Sequence, residues 1–155
     1  MSELSRFVIP EQFDKLMDEL LEGPYRIVDI LPEQVPANAA GQYFAVEQYY
    51  LQPERIRTLR RRYAEILLRL NCYFDMAVSF DGFENWEVNP DPESFADRLA
   101  GLSGNSFLRA VFSSQRAMID IEPEETHMTV YDPDSLLLEK LQALAAAEGL
   151  FVWSP

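Results

Sequence analysis

The chain has 155 residues, 48% of them hydrophobic and 12% aromatic, which is enough apolar material to bury one core and predicts a single domain over residues 1–155. Thirteen basic residues stand against 26 acidic ones, a net charge of −13. A field of that sign repels phosphate backbones and anionic lipid surfaces, so nucleic acid and membranes are excluded as expected partners and a basic protein is favoured.

Pro10 suits the first turn of a helix, where its missing N–H has no partner to lose, and Phe13, Leu16, Met17, Leu20 and Leu21 recur at helical spacing until Gly23-Pro24. Tyr25 to Ile30 reads as a short strand, and Pro36, Asn38 and Gly41 mark a loop. Tyr43 to Leu51 is apolar on both alternating faces, as in a buried central strand, although a helix running into the next segment has the same appearance. Pro53 opens a helix whose Ile56, Leu59, Tyr63, Ile66, Leu67 and Leu70 form one stripe. Tyr73 to Phe80 and Phe83 to Val88 flank Asp81-Gly82, a pair suited to a tight hairpin. Asp91 is placed to cap a helix that starts at Pro92, buries Phe95 and Leu99, and ends at a left-handed Gly101. Asp132-Pro133 repeats that start signal, Leu137, Leu141 and Leu144 supply a buried stripe, and Gly149 precedes a strand from Leu150 to Trp153.

Residues 107–132 fit a three-stranded meander in one register. Four-residue turns at 113–116 and 123–126 place Leu108 opposite Ile121, Ala110 opposite Ile119, and Ile119 opposite Val130. Arg109 then meets Asp120, Asp120 meets Thr129, and Glu122 meets His127. Shortening the second turn by one residue mixes apolar and polar side chains on both faces and forfeits burial. One face is thus apolar and the other carries Arg109, Asp120, Glu122, His127 and Thr129. A carboxylate beside an imidazole can act as a general acid/base pair, which makes Glu122, His127 and Asp120 the candidate catalytic residues; the same three can form half of a divalent-metal site. The simpler expectation is a solvated outer face with cross-strand charge pairs.

Six arginines, Arg55, Arg57, Arg60, Arg61, Arg62 and Arg69, share one helix. Against only Glu54 and Glu65 they give residues 54–70 a net charge of +4 and leave −17 for the rest of the −13 chain. Arg57, Arg61, Arg62 and Arg69 are the candidate binding residues; their alternative role is to pair with the chain's own carboxylates. The only cysteine, Cys72, excludes an intrachain disulfide and sits in an apolar run, as a buried small hydrophobe does. Trp86 and Trp153 read as core or sheet-edge residues. Nucleotide-binding loops, serine-hydrolase elbows and paired metal-ligand motifs are absent from the sequence, so no cofactor or metal is expected. Met1 to Arg6 lacks the basic start and apolar run of a secretory signal, and with no apolar stretch of spanning length the expected location is cytoplasmic.

In size and charge the chain resembles small acidic bacterial inhibitor and immunity proteins, a likeness of composition that carries no motif. The expected fold is α+β, a largely antiparallel sheet with about four helices covering one face. The expected function is that of a non-enzymatic acidic protein-interaction domain with a basic protein partner, with a homodimer as a further possibility. The alternative is a small-molecule- or metal-binding enzyme using the Asp120, Glu122 and His127 face.

Overall fold

A computed structural model describes residues 11–38 and 41–155. Among these residues the elements run α1 (Glu11–Glu22), β1 (Tyr25–Asp29), α2 (Tyr43–Tyr50), α3 (Pro53–Asn71), β2 (Ala77–Ser79), β3 (Glu87–Val88), α4 (Pro92–Ala100), β4 (Leu108–Phe112), β5 (Ala117–Ile121), β6 (Met128–Tyr131), α5 (Ser135–Ala147) and β7 (Phe151–Trp153). The strands lie in the order β3-β2-β4-β5-β6-β1-β7 and every pairing is antiparallel. This is an α+β fold, as the sequence predicts, with Pro10 outside the described residues. No helix among those residues is long and apolar enough to cross a membrane.

The main core lies between one sheet face and α3, α4 and α5. Ile56, Leu59, Tyr63, Ile66, Leu67 and Leu70 of α3 all turn inward, as their spacing requires, onto Val28, Ala110, Ile119, Ile121, Met128 and Val130. Each fully buried aliphatic side chain of this kind contributes about 1.5–3 kcal/mol. Both ladders of the meander have the predicted register, with Leu108 opposite Ile121, Arg109 opposite Asp120 and Ile119 opposite Val130. Asp91 caps α4 through Ser94 N (2.9 Å). Gly149, at φ +73°, turns the chain from α5 into β7 through a conformation that a side chain strains.

The second face is not the solvated surface expected. The apolar side of α1 covers part of it, packing Phe13, Met17 and Leu20 with Ala77, Trp86, Val88, Val111 and Met118.

Of the two readings open for Tyr43 to Leu51 the helix is the one formed, over Tyr43–Tyr50, and none of its side chains is buried. Four other local expectations are corrected. The tight turn at Asp81-Gly82 is replaced by a wider loop over residues 80–86. Asp81 accepts there from Ser79 Oγ (3.0 Å), Asn85 N (3.0 Å) and Asn85 Nδ2 (2.7 Å), and Phe83 is drawn in to stack on Trp86. Gly101 has φ −91° and is not left-handed. The cap of α5 is Asp134, whose Oδ1 accepts from Leu137 N (2.8 Å), because Asp132 instead donates its N–H to Pro24 O (2.8 Å) at the end of β6. Cys72 is exposed at the end of α3, where the helix has already turned away from the core.

Candidate functional site

Alternation along β1 sends Val28 into the main core and places Ile27 and Asp29 on the opposite face. The β1–β6 ladder ends where Val28 pairs with Met128, and beyond it Asp29 and His127 line the same space; on the other side Ile27 faces Trp153 and Asp29 faces Phe151. Beyond Asp29 the chain leaves the sheet, passes through Leu31 and Val35, and returns as α2. The space enclosed is a cleft of two adjoining chambers that share Asp29, Leu31, Val35 and Tyr43. One, of about 240 Å³, lies against Val46, Glu47 and Thr126; the other, of about 350 Å³, lies against Phe44, His127 and Trp153.

Two buried groups hold this geometry. Tyr63 of α3 donates its hydroxyl to Thr126 O (2.6 Å), with Val28 O at 3.3 Å, so one phenol joins β1 to the turn preceding β6. Arg60, 5% exposed, donates to Leu102 O and to Pro123 O (2.7 Å), fixing the other end of that turn. Neither contact follows from the α3 stripe alone, in which Arg60 reads as one of six surface arginines.

Asp29 is 8% exposed, the only buried carboxylate among the described residues. Burial pushes its pKa up, against the opposing pull of the Ile30 N–H (2.7 Å to Oδ1), His127 and the Trp153 indole. The indole Nε1 is itself buried and makes no hydrogen bond in good geometry. His127 is pulled down by its own burial, but Glu125, Asp29 and Glu122 outweigh that and leave its pKa raised. Its Nε2 pairs with Glu125 Oε2 at 2.9 Å, and the Glu125 pKa is lowered by that hydrogen bond. Glu122 is raised, first by its hydrogen bond to Glu125 and then by burial.

The predicted catalytic trio is therefore divided. The β5–β6 ladder opens before Glu122 can meet His127 across the strands, and Glu125 from the connecting turn takes that position. Asp120 is committed elsewhere: it receives Arg109 Nε at 2.7 Å and Nη2 at 2.8 Å, and the guanidinium lies 4.5 Å from the Phe83 ring centre. The described residues hold no cluster of three or more His, Cys, Asp and Glu side chains placed to bind a metal. On α3, Arg57, Arg61, Arg62 and Arg69 are exposed. Arg61 pairs with Asp97 (3.3 Å), and Arg69 with Glu65 (3.7 Å) and Glu148 (3.5 Å); Arg57 and Arg62 form no ion pair among the described residues.

Sequence reasoning misses Asp29, Glu125, Trp153 and the α2 side chains. A lone Asp three residues before Pro32 has the look of a turn residue, and only the pairing of β1 between β6 and β7 reveals its inward direction. Compared with known proteins, the chain matches no family model, no curated protein and no solved structure.

Proposed function

We propose that the chain is a non-enzymatic protein-interaction domain that binds a basic protein partner through α2 and the acidic cleft beside it. The observation carrying this reading is that α2 is a helix with no buried side chain, yet it displays Tyr43, Phe44, Val46 and Tyr49 at 38%, 78%, 41% and 51% exposure. An eight-residue helix is marginal on its own, and an exposed apolar run of this kind is the usual mark of a surface that meets a partner. The carboxylates in the cleft, Asp29 and Glu47, give the partner its sign. The net charge of −13 opposes a second copy of the chain and favours a cationic protein.

The test pairs wild type with a Phe44→Ala, Val46→Ala variant, which keeps α2 helical because alanine is the best helix former. Proteins captured from the native lysate by wild type and lost by the variant are purified and measured directly by calorimetry. The expected partner carries a net positive charge and binds the variant at least tenfold more weakly, while the two forms unfold at the same denaturant midpoint. Equal binding by the variant, or a partner without excess basic charge, overturns the reading.

A second reading, an enzyme or small-molecule binder, is favoured by one observation: His127 is oriented by Glu125 and lines the same chamber as Asp29, the arrangement of a base held by a carboxylate. It moves the acid/base role from Glu122 and Asp120 to Glu125 and Asp29. Turnover of any captured small molecule that stops in His127→Gln supports it over the first.

A further inference from the structure

We propose that the cleft at Asp29 is an anchor site for an arginine side chain of the partner, with its guanidinium on the Asp29 carboxylate and its plane against Phe44 and Tyr43. This rests on the reading of the chain as a binding domain for a basic protein and names the residue by which that protein is held.

The argument starts from what the same sheet face does with its other carboxylate. Asp120 is matched by a guanidinium from within the chain, bound through two hydrogen bonds and stacked over an aromatic ring. Asp29 is more deeply buried than Asp120, and no Lys or Arg among the described residues reaches it. Its nearest cationic group is His127, whose Nε2 is already directed to Glu125. Asp29 receives the Ile30 N–H at 2.7 Å, and the Leu31 N–H and the Trp153 indole also face it, but these donors are all neutral and leave its charge without a matching cation.

A carboxylate removed from water without a matching cation is costly, and such groups concentrate at functional sites. The surroundings select the cation. The chambers are walled by Leu31, Val35 and Val46, which suit a hydrocarbon stem, and by the exposed rings of Tyr43 and Phe44. The Tyr49 ring is not available, since Arg55 lies 3.8 Å from its centre. A planar, weakly hydrated guanidinium can meet a carboxylate through two bonds and lie flat on an aromatic face, whereas an ammonium is a compact, strongly hydrated point charge. An arginine set in the cleft would repeat the Asp120–Arg109–Phe83 arrangement with the guanidinium supplied from outside.

The test uses the full chain, labelled with nitrogen-15, and three peptides: acetyl-Leu-Arg-Leu amide and its lysine and citrulline counterparts. The chain has two tryptophans, and their indole signals form a built-in pair. Trp153 lies beside Asp29, while Trp86 is packed under α1. The arginine peptide is expected to shift the Trp153 indole and His127 signals saturably and to leave Trp86 in place. The lysine peptide should bind several-fold more weakly and citrulline, neutral and of the same shape, at least tenfold more weakly. Asp29→Asn should lose the arginine response by at least tenfold while its Trp86 signal stays at the wild-type position, which certifies the fold. No movement of Trp153 at millimolar arginine peptide, equal binding of citrulline, or an unchanged response in Asp29→Asn overturns the anchor. The two readings separate on the captured basic protein. If it is lost by the Phe44→Ala, Val46→Ala variant but kept by Asp29→Asn, the anchor falls and the interaction domain stands; if both variants keep it, both fall.

Discussion

Asp29 and Asp120 lie on the same face of one sheet and answer to different surroundings. Asp120 neutralises Arg109, itself 7% exposed, so removing its charge leaves a buried guanidinium underpaired. Asp120→Asn is therefore expected to cost about 3 kcal/mol in a denaturant melt, not the small change that a solvated face implies. Asp29→Asn should behave oppositely. Burial raises the Asp29 pKa, so its ionisation works against folding: stability is fully present below the unfolded carboxyl pKa and is lost as pH rises through the folded one. The asparagine variant should then be more stable than wild type at neutral pH, and the gain should vanish in acid; a variant less stable at pH 7 removes the unpaired-carboxylate argument. For His127, whose pKa is raised above its ordinary value of about 6.5, the stabilising contribution is complete below the unfolded imidazole pKa and disappears as pH climbs through the folded one. Titrating the single imidazole by NMR should give a larger downward movement in Glu125→Gln than in Glu122→Gln, because the hydrogen bond comes from Glu125.

At the scale of elements, α3 and β5 carry the fold. Ile119→Asp and Ile121→Asp each force a charge into the core between the sheet and α3, and each should cost about 4 kcal/mol or more. Arg57→Glu with Arg61→Glu sits on the exposed side of α3 and gives up only the Arg61–Asp97 pair, so the same melts should move by less than about 1 kcal/mol. The α3 stripe, the meander register and the cap at Asp91 illustrate what local pattern can reveal. Helical periodicity and strand alternation each select one buried face, and a slip of one residue exposes it. Three features lay beyond that reach. The run from Tyr43 to Leu51, apolar on both alternating faces, lacks a period that separates a strand from a helix. The 80–86 loop is shaped by side-chain hydrogen bonds of Asp81 and by the need of Arg109 for the Phe83 ring. The cleft depends on β1 lying between β6 and β7, a pairing of distant segments. His127 was found by its own chemistry, but its partner was misassigned because the register was continued past the last paired residues.

For the molecule as a whole, charge is segregated, with six arginines on α3 and an acidic remainder that includes the cleft. At low salt the screening length is about 30 Å, longer than the reach of any single contact, so an approaching basic protein responds to the summed field; at physiological salt it is about 8 Å and only neighbouring charges count. Association with a basic partner should therefore slow by roughly tenfold or more over that range, with the dissociation rate changing less. The arginine helix sharpens the test. Reversing Arg57 and Arg61 to glutamate alters the net charge by four units without touching the cleft. If α3 stands outside the interface, the double variant must associate faster than wild type at low salt, and the advantage must fade as salt is added, because only the long-range field has changed. Slower association by the double variant, persisting at high salt, would mean that Arg57 and Arg61 touch the partner themselves, and a rate indifferent to ionic strength in both forms would remove electrostatic attraction as the basis of recognition.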